Sequence, residues 1–279
     1  MEIDVALVRA LLAEQFPRWA GLPVRPVERS GWDNRTFRLG DALSVRLPSA
    51  AGYVPAVEKE QRWLPYLGAR LAVPIPVPVG RGGPGAGYPY PWSVYRWIEG
   101  TPIDTQPPAD LVGFATELGE FLNALRGIDA TGGPAAGPHS FWRGGSLTVY
   151  DQETREAITR LGGEPARARA REIWADGLAA TWHGPPVWFH GDVAEGNLLT
   201  RDGRLAAVID FGTCGVGDPS SDLRIAWTLF AGRSRGAFRE VVDQDEATWA
   251  RARAWTLWKA LITADDPGSR RILDELLQR

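Results

Sequence analysis

The apolar pattern changes period near Gly100, and that change limits the folds open to the chain more than any other feature does. Before it, apolar residues fall in short strand-like pieces, Val24–Arg29, Thr36–Leu39 and Ala42–Leu47, punctuated by the turn residues Gly31, Asn34, Gly40 and Asp41. Residues 3–16 and 55–67 read as helices. The Pro/Gly-rich stretch Val73–Pro91 excludes helix and predicts a loop flanked by strand edges, and Trp92–Gly100 reads as a strand. After Gly100, Leu111, Phe114, Leu118, Phe121 and Leu125 recur at alternating spacings of 3 and 4, one face of an amphipathic helix over 108–126. Residues 130–146 form a Gly/Pro-rich loop, followed by helices near 150–161 and 165–182. Short strands follow at Val187–His190, Asn197–Thr200 and Leu205–Ile209, the last two separated by a hairpin signal at Asp202–Gly203. From Ser220 onward the pattern is helical. With 279 residues, 44% of them hydrophobic, the chain can fill two lobes: a sheet-rich one over 1–97 and a mostly helical one over 98–279.

The balance of charges narrows the classes further. A net charge of −3 argues against nucleic acid as the main partner. One cysteine, Cys214, precludes an intrachain disulfide and points to a reducing, cytoplasmic setting; its position suggests that it is accessible. The acidic, amphipathic N-terminus is unlike a signal peptide, and no apolar run reaches the roughly 18 residues of a membrane span. Lys59 and Lys259 are the only lysines, so lysine-dependent chemistry has two candidates.

The most informative segment is His-Gly-Asp-Val-Ala-Glu-Gly-Asn-Leu-Leu, His190–Leu199, followed by Val-Ile-Asp-Phe-Gly, Val208–Gly212. Asn197 lies five positions after Asp192, and Asp210 eighteen after it. Phosphoryl transfer needs a carboxylate to orient and deprotonate a hydroxyl, and hard oxygen ligands to hold magnesium against phosphates. A loop carrying Asp192 and Asn197, facing a hairpin that ends in Asp210, offers that set.

These residues resemble the catalytic core of the kinase superfamily, with His-Gly-Asp where protein kinases have His-Arg-Asp. The continuation Gly215–Leu223 is similar to the aminoglycoside phosphotransferase family, which also includes macrolide and choline-type kinases. The resemblance implies an α+β, bilobal, protein-kinase-like fold: an antiparallel sheet with one key helix, then a mostly helical lobe. It implies Asp192 as base, Asn197 and Asp210 as magnesium ligands, and His190 as support for the loop. It also implies ATP or GTP as donor and a small, cationic acceptor, first an aminoglycoside or other antibiotic, alternatively a metabolite of choline, homoserine or methylthioribose type. A nucleotide-binding protein with weak transfer activity is a second class. No Ala-Pro-Glu follows the Asp-Phe-Gly, and the short run to Asp218 leaves no room for an activation segment, which disfavours a protein kinase. A monomer or weak dimer without nucleic-acid or membrane partners is expected.

The first lobe supplies an independent set. Val57, Glu60, Leu64 and Leu67 share one helical face, so Glu60 points inward and needs a cationic partner. Arg46 is the natural one; the family more often has lysine there, and arginine's fork binds phosphate well. Glu60 could instead be a boundary residue in a surface pair. Lys59, about 100° around the helix, should be solvated. Ser30 and Gly31 lie where a phosphate-covering loop belongs, although one glycine also suits an ordinary hairpin turn. Arg96, Trp97 and Ile98 occupy the hinge position, where main-chain groups would meet a purine. Trp227, Trp249, Trp255 and Trp258 read as core. His139 and His183 match no metal spacing. Asp243, Asp245, Glu246, Asp265 and Asp266 read as solvated acids or helix caps; the resemblance alone assigns Asp265 and Asp266 to acceptor ammonium groups.

Overall fold

The structure, a computed structural model, describes residues 2–27, 31 and 33–278. It divides into two compact units, residues 1–100 with 206–212, and residues 101–205 with 213–279. The segment 206–212 thus groups with the sheet-rich unit.

The first unit is built on a five-stranded antiparallel sheet of β1 (Val24–Pro26), β2 (Asn34–Leu39), β3 (Leu43–Pro48), β4 (Pro78–Gly82) and β5 (Trp92–Arg96), in the order β1-β2-β3-β5-β4. Helix α1 (Val5–Gln15) starts at Asp4, whose carboxylate accepts the Leu7 N–H at 2.8 Å. It buries Val8, Leu11 and Leu12 against Phe37, Leu39, Val45, Leu47 and Val94. Alternation along β3 sends Val45 and Leu47 into that core and turns Arg46 to the opposite face. Helix α2 (Val54–Gly68) carries Val57, Glu60, Leu64 and Leu67 buried, the face anticipated from their spacing.

The second unit is mostly helical: α3 (Leu111–Arg126), α4 (Asp151–Thr159), α5 (Glu164–Ala179), α6 (Ile225–Thr228), α7 (Gly232–Val242), α8 (Glu246–Ile262) and α9 (Pro267–Leu277). Short strands β6 (Thr101–Pro102), β7 (Val187–Phe189), β8 (Leu198–Arg201), β9 (Arg204–Val208) and β10 (Gly215–Gly217) lie between them in sequence; β9 runs on into the segment of the first unit. β6 pairs with β8, and β7 with β10, both antiparallel. Pieces as short as β6 and β10 carry no periodicity, which is why sequence patterning passes over them. Small residues let the helices close up: a Cβ on Gly177 of α5 would lie 2.3 Å from Ala254 of α8, and one on Gly119 of α3 2.8 Å from Val241 of α7. Trp227, Trp249, Trp255 and Trp258 are buried, as core tryptophans should be. Among the described residues, no helix is long and apolar enough to cross a membrane.

Candidate active site

In the second unit the loop after β7 carries His190, Gly191 and Asp192. It is pinned by a carboxylate that no sequence motif marks out. Asp222, buried at 2% exposure, accepts the N–H of His190 at 2.8 Å and of Gly191 at 2.6 Å, one on each oxygen. His190 is fully buried, and its Nδ1 accepts the Asp192 N–H at 3.2 Å. The Thr213 hydroxyl donates to the His190 carbonyl at 2.9 Å. Gly191 sits at φ +86°, and a Cβ there would lie 2.9 Å from the Thr213 carbonyl oxygen. A side chain therefore meets both a left-handed backbone and a wall, which accounts for glycine in this loop. Burial pushes the Asp222 carboxyl above its usual range, against the stabilising pull of His190 and the two N–H donors.

Asp192 emerges from this anchorage partly buried, and among the described residues its carboxylate makes no hydrogen bond. Asn197 donates its side-chain N–H to the Asp192 carbonyl at 3.0 Å. That bond fixes which end of the amide is which and leaves Oδ1 as its acceptor oxygen.

In the first unit, Arg46 and Glu60 face each other, Nη1 to Oε1 at 3.7 Å, and the Tyr95 hydroxyl donates to the other oxygen of Glu60. Arg46 also donates through Nη2 to Asp210 Oδ1 at 3.2 Å and lies 3.8 Å from Asp33. Burial works against the Arg46 charge, but Glu60, Asp210, Tyr95 and Asp33 together hold its pKa above the ordinary value. Burial raises the Glu60 pKa against the pull of Arg46 and the Tyr95 bond. Asp210 has φ +66°, an unusual conformation for a residue with a side chain.

Lys59 corrects the expectation of a solvated side chain. It is buried at 8% exposure, and its ammonium donates to the Gly212 carbonyl at 2.6 Å. One helical turn of α2 thus places two buried charged neighbours side by side: Glu60 on Arg46, and Lys59 on the backbone just after Asp210. Cys214 is also buried and not accessible.

The remaining assignments divide. Ser30 lies outside the described residues; Gly31 is exposed, and its carbonyl accepts from Arg35 at 3.0 Å. The N–H groups of Arg96 and Trp97 bond the Val77 and Ala42 carbonyls, at 3.3 and 2.8 Å. Of the three N–H groups in that segment, Ile98's is the one left open among the described residues. Asp266 caps α9 by accepting the Ser269 N–H at 2.8 Å, and Asp245 caps α8 in the same way through Thr248 at 2.7 Å. Asp266 borders a cleft of about 250 Å³ whose lining also includes Glu195, Arg224, Lys259 and Arg271. Asp265 is exposed and takes no part in that lining.

The profile of the phosphotransferase enzyme family, APH, matches residues 24–255, most of both units. The chain belongs to the APH phosphotransferase family. Among curated proteins, the uncharacterized protein YcbJ of Bacillus subtilis (strain 168) is 26% identical over 148 residues, 51% of this chain. That match covers 46% of YcbJ, so the chain spans about half the length of the curated relative it matches. The fold is that of aminoglycoside 2'-phosphotransferase-IIIa in its GDP complex: TM-score 0.73, 19% identity, 99% of this chain and 98% of the other. Macrolide 2'-phosphotransferase MphH from Brachybacterium faecium gives a TM-score of 0.63 at 20% identity, over 98% and 97%. At such identities the likeness is one of fold. This APH phosphotransferase therefore has the kinase-like architecture anticipated from its motifs, with the five-stranded antiparallel sheet first and the helices after it.

Two features of this APH chain had little signature in sequence. Asp222 stands in the run Ser220–Leu223, where only its burial among neighbours at 2% exposure or less marks it as structural. Arg251 of α8 forms a buried pair with Asp218, Nε to Oδ2 at 2.7 Å, and also donates to the Ala180 carbonyl. The Asp218 N–H donates to the Gly144 carbonyl at 2.8 Å. Asp218 is thus tied to α8 on one side and to the loop before α4 on the other.

Proposed function

We propose that the chain is a small-molecule kinase that moves the γ-phosphoryl group of ATP or GTP onto a hydroxyl. The single observation that carries the reading is the anchored loop of the second unit. Asp222 and His190 fix the backbone around an Asp192 carboxylate that makes no hydrogen bond among the described residues. Such a carboxylate can take the hydroxyl proton as the acceptor oxygen bonds to the γ-phosphorus and the bond to the β–γ bridging oxygen breaks, releasing the nucleoside diphosphate.

Arg46, held by Glu60 and aimed at Asp210, is suited to the donor's phosphates. Asn197, with its amide nitrogen engaged, and Asp210 offer one amide oxygen and one carboxylate. Those are hard ligands of the kind Mg²⁺ takes, and Asn197 and Asp210 would be the residues to hold it. When bound, the ion supplies charge neutralisation of the phosphates. Ile98 is the hinge residue with an N–H to offer a base. Support for a small acceptor comes from the cleft volume of about 250 Å³, just below the roughly 300 Å³ at which ordinary ligand sites begin. The structural neighbours are named as phosphotransferases of aminoglycosides and a macrolide; the charge around Asp192 bears on whether that acceptor class carries over.

The test is a transfer assay with γ-labelled ATP or GTP, Mg²⁺, and pooled hydroxylated antibiotics and metabolites. Label passing to a small molecule, and ceasing when EDTA is added, is the expected result. Label confined to nucleotide and inorganic phosphate with both donors would overturn the proposal.

A further inference from the structure

Three cations of the second unit have no use in the scheme above. Arg143 is buried at 8% exposure, and its Nε has no hydrogen-bond partner. Its guanidinium lies 5.9 Å from the ring of Trp258, the residue before Lys259. Arg224 follows two residues after the Asp222 that grips the catalytic loop, and its buried Nε also lacks a partner. Lys259, on α8, lines the cleft of about 250 Å³ together with Arg224. Among the described residues, none of these three side chains makes a hydrogen bond, although they feel one another's charge.

The acids nearby are committed elsewhere. Asp222 accepts a backbone N–H on each oxygen, and its pull on Arg224 is smaller than that of Asp192. Glu153 is exposed and accepts from Trp258 Nε1 at 2.7 Å. Asp266 caps α9, and Glu195 faces Arg271. Of the acids, Asp192 pulls most on Arg224 and Lys259, and a general base is not a permanent counter-ion. Burial, with Arg143 adding to it against the pull of Asp192, brings the Arg224 guanidinium down to about 10. Burial, then Arg224 and Arg143, lower Lys259 as well. Crowding like charges in this way costs stability. Unused donors at that cost are accounted for by a ligand that supplies the missing negative charge.

We infer that the acceptor is an anion, a small hydroxylated carboxylate or phosphate ester, whose charged group is received by Arg224, Lys259 and Arg143 while its hydroxyl meets Asp192. The inference rests on the reading of Asp192 as the base of a hydroxyl kinase. It replaces the cationic acceptor expected from the resemblance: an ammonium group would meet three cations, and of the two acids assigned to it, one caps a helix and the other lies outside the cleft. The alternative use of the same cations, on the γ-phosphate of the donor, is separated by the test.

The experiment measures kcat/KM for phosphoryl transfer to compounds matched in skeleton and differing in charge: glycerol, glycerate, glycerol 3-phosphate and ethanolamine, with kanamycin as a polycation. It is backed by a wider set of hydroxy acids, sugar phosphates, neutral sugars and amino alcohols. The best acceptors should all be anionic and exceed their neutral counterparts at least about tenfold. Arg224→Gln and Lys259→Met should each lower kcat/KM for the best anion about tenfold or more, through acceptor KM, and Lys259→Arg should recover most of it. A neutral or cationic best acceptor overturns the inference, and so does a loss confined to nucleotide KM. Either outcome leaves the kinase reading standing, because transfer still occurs. Failure of that reading looks different: no compound of any charge is labelled.

Discussion

At the residue scale, the geometry of one short loop decides what Asp192 can do. Gly191 adopts φ +86° against the Thr213 carbonyl. Gly191→Ala should therefore cost roughly 1–2 kcal/mol for the left-handed backbone, plus the displacement of Thr213. Asp222→Asn keeps the shape but offers one acceptor oxygen to two N–H donors, leaving one of them facing an NH₂ group. An unmet buried donor costs roughly 1–3 kcal/mol. Denaturant unfolding should show that loss, and kcat should fall with it because the loop is no longer held from both sides. Lys259 predicts the opposite sign. Its pKa is depressed in the folded protein, so its charge is carried at a cost below that depressed value, and the cost vanishes as pH rises toward the lysine's ordinary range. Lys259→Met should accordingly raise the melting temperature at neutral pH without ligand, and the gain should shrink as pH climbs into the alkaline range. A constant gain across that range would tie the effect to packing and not to charge.

At the scale of elements, α2 and β3 form a working unit within the sheet-rich half. The alternation of β3 turns Arg46 away from the Val45–Leu47 core, and the 3.6-residue repeat of α2 turns Glu60 to meet it. Both were legible in sequence, because the periods of strand and helix fix which side each residue takes. Lys59 was not. Its position on the helical wheel suggests solvent, but the backbone at Gly212 comes within 2.6 Å of its ammonium. No local pattern announces a contact between residues so far apart in the chain. Arg46→Ala should raise the nucleotide KM and destabilise the fold by at most roughly 3–5 kcal/mol, the cost of orphaning a buried carboxylate, with Lys59 beside Glu60 limiting the damage. An unchanged nucleotide KM would move the phosphate contact to another residue.

For the molecule as a whole, the division into a sheet-rich and a helical half, and the identity of the His-Gly-Asp and Asp-Phe-Gly segments, could be read before any coordinate. Both rest on periodicity and on short-range spacing. The acceptor's chemistry could not be read. Arg143 comes from a Gly/Pro-rich loop, Arg224 from the turn after Asp222, and Lys259 from the last turn of a largely buried helix. Their shared field is a product of packing, hidden within a chain whose net charge is −3. The one acceptor assignment taken from resemblance, Asp265 and Asp266, falls on a surface acid and a helix cap. Short-range spacing marks Asp192, Asn197 and Asp210 in the sequence, whereas a pocket assembled from distant segments leaves no such spacing to read.

The central claim is that Asp192 is the base of a hydroxyl kinase, and the most direct measurement is single-turnover phosphoryl transfer by Asp192→Ala beside nucleotide affinity in the same variant. A fall in the transfer rate of about 10²–10⁴-fold, with nucleotide binding largely kept, is the predicted result. Transfer at the wild-type rate in Asp192→Ala would contradict it.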